Sequence, residues 1–195
     1  MLRSRAGDTV KLNALLDEAV NRAAALVAAK NPDLDDASRT AVARAVGIGA
    51  VKYADLSTDR TKDYAFDFDR MLTFDGNTAP YLQYAHARIR SIFRRADIEP
   101  PTGPVTLAEP AERRLALDLL SFGPVLADVA ESMEIHRLAG HLFGLASAFT
   151  TFYEHCPVLR ADEPTRTSRL VLCDLTARTL ATGLALLGIE APARM

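Results

Sequence analysis

The 195-residue sequence predicts an all-α helical bundle with one short β-like hairpin segment near residues 59–74. Three observations carry that prediction. Apolar residues recur at spacings of three and four along most of the chain, a period that only a helix gathers onto one face. Alternation with period two is confined to Tyr64, Phe66 and Phe68 in "DRTKDYAFDFDRMLTF", apart from a brief "TVKL" near the start. Four prolines fall together in the fourteen residues "DIEPPTGPVTLAEP", a long loop or linker that separates helical patterns.

The elements follow in order. Leu12, Leu15, Leu16, Ala19, Val20, Ala23, Leu26 and Val27 share one helical face. In "NPDLDDASRT", Pro32 and the carboxylates Asp33, Asp35 and Asp36 mark the start of a second helix, because acids are stabilised at its positive end and accept from its free N–H groups. That helix continues through Val42, Ala45, Val46 and Ala50. After the hairpin segment, Thr78 has the chemistry of an N-cap and Pro80 suits a first turn, where a missing N–H costs nothing. This third helix ends near Ala96. Beyond the prolines come helical patterns over Ala111–Phe122, Pro124–Met133, Ile135–His155 and Thr165–Leu187, the last stopped by Gly188.

Composition narrows the function. With 49% hydrophobic and 25% charged residues, the chain has the balance of a soluble globular protein able to bury a core. No stretch approaches the roughly 18 apolar residues of a membrane span. Cys156 and Cys173 are too few for a disulfide framework, so reduced thiols and a cytoplasmic location are expected. A net charge of −2 gives no global attraction to nucleic acid, so a polyanion must be held by a local patch.

One stretch has that character. "FDGNTAPYLQYAHARIRSIFRRA", Phe74–Ala96, holds two tyrosines and four arginines, with no acid after Asp75. On a helix Leu82, Ala85, Ile89, Phe93 and Ala96 form the stripe to be buried, and Tyr81, Tyr84, Arg88 and Arg95 line its flank. Two π faces followed by two cations suit unstacked nucleotides, whose bases stack on tyrosine and whose phosphates pair with arginine. The competing reading is packing: tyrosines beside a core stripe are often amphipathic packing residues, and surface arginines are often only solvated.

Other constellations carry less. His136 and His141 are five apart and His155 adjoins Cys156, neither a zinc-site spacing, so no metal is expected. Asp63, Asp67 and Asp69 lack the glycine and spacing of a calcium loop. No Ser, Cys or Lys nucleophile has a base beside it in sequence.

The run "VKYADLSTDRTKDYAFDFDRMLTFDGNTAPYLQYAHARIRSIFRRA" resembles the most characteristic C-terminal block of arginyl-tRNA synthetases. The resemblance extends upstream through "SRAGDTVKLNALLDEA" and "AVARAVGIGAVKYADL", and downstream through "FYEHCPVL" to "LALLGIEAPARM". It implies the helical bundle of the class I synthetase anticodon-binding type. Residues 1–74 would be a remnant of the catalytic domain's C-terminus and helical connection, and residues 75–195 the all-α anticodon-binding domain. Tyr81 and Tyr84 are then implied as base contacts and Arg88 and Arg95 as phosphate contacts, with Tyr153 and Met195 near the anticodon loop. Arg3, Ser4 and Arg5 resemble the tail of the loop that stands in for the KMSKS motif, a remnant ATP loop.

The sequence departs from the family by containing no Rossmann domain with a HIGH-type signature. ATP and magnesium would act only in the full-length family enzyme, so this chain is expected to use no cofactor and to be inactive alone. Three functions stay open: binding of tRNA(Arg) without aminoacylation, one half of a split ligase that needs a separate catalytic chain, and a degenerate helical protein-interaction module.

Overall fold

The computed structural model describes residues 11–195. Arg3, Ser4, Arg5 and the start of "TVKL" lie outside the described residues. The described chain is all-α, and it folds around two apolar cores.

The smaller core belongs to a helical hairpin. Helix α1 (Leu12–Lys30) packs along α2 (Asp36–Leu56), which starts where Asp35 accepts a hydrogen bond from the Ser38 N–H at 2.9 Å. The two backbones nearly touch at Gly47, where a Cβ would come within 2.7 Å of the Ala19 carbonyl carbon and the Val20 Cα, so only glycine permits this approach. Ala23, Val27, Val42, Val46, Met71 and Leu72 fill the interior.

The expected hairpin near residues 59–74 is not there. No strand occurs among the described residues, and the segment is an irregular loop followed by a one-turn helix, α3 (Phe68–Met71). Asp67 caps that turn, its carboxylate accepting from the N–H groups of Asp69 and Arg70 at 2.9 and 3.3 Å. A strand needs a partner for its backbone, and none lies alongside. The alternating aromatics instead meet one another, with the Phe66 and Phe68 rings edge to face at 5.0 Å and Arg22 over Phe68 at 4.9 Å.

Helix α4 (Ala79–Ala96) is the central element. Thr78 caps it by accepting from the Tyr81 N–H at 3.3 Å, and Asp97 ends it in the left-handed region with φ 49°. The expected stripe is buried at Leu82, Ala85, Ile89 and Phe93. Helices α5 (Pro110–Leu120), α6 (Phe122–Ser132), α7 (His136–His155) and α8 (Thr165–Leu186) complete the larger core, which contains Leu142, Phe149, Phe152, Leu172 and Leu180. Cys156 and Cys173 are free and buried in it.

Polar contacts join these parts. The hydroxyl of buried Tyr53 on α2 lies 2.9 Å from the Ala139 carbonyl of α7 and 2.6 Å from the Asn77 side chain ahead of α4. The proline-rich stretch has no regular element, and Ser168 of α8 holds it by accepting from the Thr106 N–H and donating to the Thr106 carbonyl, at 2.9 and 3.0 Å. After α8, Gly188 adopts φ 66° and turns the chain back, so that residues 189–195 cross α2 and α4.

Candidate nucleic-acid interface

A groove opens between the end of α1, the exposed flank of α4, α7 and the segment after α8. Helix α4 places Tyr84, Arg88, Ser91 and Arg95 on one wall because they lie beside its buried stripe. Tyr153 of α7 lies opposite, and Arg194 and Met195 close one side.

The aromatic faces are not all equally available. Tyr84 is 41% exposed and meets Phe74 edge to face at 6.0 Å. The Lys30 ammonium, at the end of α1, lies 4.3 Å from the Phe74 ring centre and 5.6 Å from that of Tyr84. The Arg88 guanidinium covers the Tyr153 ring at 4.6 Å, while Tyr153 leans on Phe149. Tyr81 stands apart, half-buried, with its ring 5.7 Å from Phe143 and its hydroxyl 3.4 Å from that of Thr150.

The structure therefore brings Tyr84, Arg88, Arg95, Tyr153 and Met195 to one groove, and Tyr81 to the α4–α7 contact beside it. It also adds Lys30, Asn31, Phe74, Arg94 and Arg194, which sequence reasoning did not single out. Arg94 carries a local signal, since it adjoins Arg95 within the arginine-rich helix. The others reach the groove only through folding.

Positive charge dominates the walls. Among the described residues no carboxylate oxygen lies within 4.0 Å of the Arg88, Arg94, Arg95 or Arg194 guanidinium, although seven other arginines form such pairs. Burial, and then the repulsion of Arg194, hold the Arg94 guanidinium below its ordinary value. Behind the wall, His86 is also held below its ordinary value, first by burial and then by Arg90 and Arg94, with the Pro192 carbonyl opposing. Such a site favours an anion that brings its own charge.

Among the described residues, no group of three or more His, Cys, Asp and Glu side chains is placed to hold a metal. No described helix is long and apolar enough to cross a membrane.

Comparison with known proteins agrees with this architecture. Residues 82–195 match the DALR anticodon binding domain, and residues 1–68 match the catalytic domain of class I tRNA synthetases of the arginine type. The all-α fold and these two matches define a helical domain of the DALR anticodon-binding type preceded by the end of a class I synthetase catalytic domain.

Among curated relatives, arginine–tRNA ligase from Thermobifida fusca is 59% identical over 198 residues, covering 100% of this chain and 34% of that protein. The same enzyme from Proteus mirabilis is 53% identical, covering 99% of this chain and 34% of that one. Arginyl-tRNA synthetase of Thermus thermophilus superposes with a TM-score of 0.89 at 41% identity, over 96% of this chain and 32% of that one. That of Plasmodium falciparum gives 0.84 at 32% identity, over 95% and 34%. The chain belongs to the arginyl-tRNA synthetase family, corresponds to its C-terminal portion, and spans about a third of the length of these relatives.

Proposed function

We propose that this chain grips the anticodon stem and loop of tRNA(Arg) through the groove beside α4. The observation that carries the reading is the meeting of exposed Tyr84 and the Arg88–Tyr153 stack with Arg94, Arg95, Arg194 and Lys30, with no carboxylate paired to those arginines among the described residues. An anticodon loop offers unpaired bases that can be splayed onto rings and a phosphate backbone that can pair with guanidinium groups. Tyr84 and Met195 supply apolar faces for bases, Arg88 and Arg95 pair with phosphates, and Tyr153 supports Arg88 from behind.

On this reading, residues 1–74 are the catalytic domain's end and helical connection, and residues 75–195 are the tRNA-binding domain. Arginylation needs ATP chemistry from the nucleotide-binding domain of the full-length family enzyme, and no residue described above is assigned a part in it. The test is a gel-shift titration with arginine tRNA and a non-cognate tRNA. Preferential binding of arginine tRNA is expected, and equal or absent binding would overturn the reading.

A second reading, half of a split ligase, draws support from α1. That helix buries only Ala19, Ala23 and Val27 and leaves Leu12 66% exposed, a face that the rest of a catalytic domain would cover. Arginine-dependent ATP–pyrophosphate exchange that appears only when a separate catalytic chain is added would establish it.

A further inference from the structure

Between Gly188 and Met195 the chain forms no helix, yet side chains from elsewhere grip it at five points along its length. Lys52 of α2 donates to the Gly188 carbonyl. Gln83 of α4 donates from Nε2 to the Glu190 carbonyl at 2.8 Å, and one turn later His86 Nδ1 lies 3.0 Å from the Pro192 carbonyl. Two turns further on, Arg94 donates to the Ala193 carbonyl at 2.7 Å, and Asn31 donates to the Met195 backbone oxygen at 2.9 Å. Every acceptor is a backbone oxygen, so these hydrogen bonds fix the path of the segment's main chain, while Ile189 anchors it in the larger core.

Building the seat has a cost. Gln83 is fully buried and His86 nearly so, and a bundle core would ordinarily place apolar residues there. Gln83 also donates to the Ala45 carbonyl at 3.1 Å, which ties the segment to α2. A Cβ at Gly49 would sit 3.0 Å from Gln83 Nε2 and 3.1 Å from Ile189 Cγ2, so the small residue leaves room for both. The arrangement leaves the Arg194 side chain exposed and rests Met195 against the smaller core, and both line the groove beside Arg88 and Tyr153.

We propose that Gln83 and His86, assisted by Lys52, are positioning residues for RNA binding: they hold the backbone of Gly188–Met195 so that Arg194 and Met195 stand in the groove, an inference that rests on the RNA-binding reading above. None of the three lines the groove, so none touches the ligand. Their effect on affinity must pass through Arg194 and Met195.

A double-mutant cycle tests this directly. Gln83→Met and His86→Leu are made in the parent chain and in an Arg194→Ala/Met195→Ala background, and affinity for an RNA hairpin with the anticodon stem and loop of arginine tRNA is measured for each. In the parent chain each substitution should weaken binding about two- to tenfold, the weight of one hydrogen bond. In the double-alanine background it should change nothing. Should the buried substitutions prevent folding, Lys52→Met on the exposed surface gives the same cycle with a smaller loss. Equal losses in both backgrounds, or no loss in the parent, would overturn the proposal. A double-alanine chain that binds like the parent would overturn it while leaving the RNA-binding reading intact, whereas a parent chain that binds no RNA would overturn both.

Discussion

Arginine serves two ends in this chain, and two regions differ in what surrounds its guanidinium. At the α5–α8 junction Arg169 is buried, donating from Nε to Glu112 at 2.6 Å and from Nη1 to the Pro157 carbonyl at 2.8 Å. Glu112 also accepts from the N–H groups of Ala108 and Glu109. Burial pushes the Glu112 carboxyl up, but the Glu109 N–H, Arg169 and the Ala108 N–H together outweigh it and hold the group below its ordinary value. In the groove, Arg88 lies over the Tyr153 ring and Arg95 is exposed, and neither has a paired carboxylate among the described residues. The junction has satisfied its charge internally and closes the fold. Arg94 in the groove donates to a backbone carbonyl, and the Arg88 and Arg95 side chains have no hydrogen-bond acceptor among the described residues.

The junction should carry the largest effect. Arg169→Met leaves a buried carboxylate without its cation, and urea unfolding should show a loss of about 3–5 kcal/mol. RNA affinity of the folded fraction should stay at the parent level. A variant of parent stability would erase the contrast between the two regions.

The groove should respond in the opposite sense. Tyr84→Ala should weaken binding of arginine tRNA by about 1–3 kcal/mol with little change in unfolding midpoint, because the ring is half in water and available for stacking. Tyr81→Ala, whose ring rests on Phe143, should instead lose about 1–3 kcal/mol of stability, less than a fully buried ring would. Matching ratios of binding to stability loss in the two variants would show that the two rings do one job.

A smaller effect is expected at a single charge. Arg88→Ala should weaken binding to all tRNAs alike and lower the salt slope by about one phosphate contact. An unchanged slope would take Arg88 off the RNA face and leave it only as a cover for Tyr153.

Acid should separate the regions by the smallest margin. His86 sits below its ordinary 6.5, so its neutral form contributes stability that is complete above about pH 6.5 and lost as pH falls through the lowered value. Glu112 sits below its ordinary 4.5, so its contribution is present above that value and lost further into acid. Melting temperature followed downward from pH 7 should therefore begin to fall in the histidine range and fall again below about pH 4.5. His86→Leu should remove part of the first step and leave the second. A flat profile down to pH 5 would contradict the burial of His86.

Local chemistry was enough to read the helices. Thr78, Pro80 and the stripe from Leu82 to Phe93 specify α4 through contacts no more than a few residues apart, and the same holds for the Asp35 cap of α2. The alternation of Tyr64, Phe66 and Phe68 was misleading for a related reason. Period two describes a strand only when another strand accepts its hydrogen bonds, and here Asp67 offered the backbone a local cap instead.

For the site, the sequence by itself determined that tyrosine and arginine share the flank of α4, because a helix aligns residues three, four and seven apart. Tertiary structure alone decided which of them face open space. It set Tyr81 against α7, left Tyr84 beside Phe74 and Lys30, and brought Arg194 and Met195 back across α4 on a backbone held by Gln83 and His86. Helical order comes from neighbours in sequence, whereas a groove is made by residues more than a hundred positions apart, whose meeting no local pattern encodes.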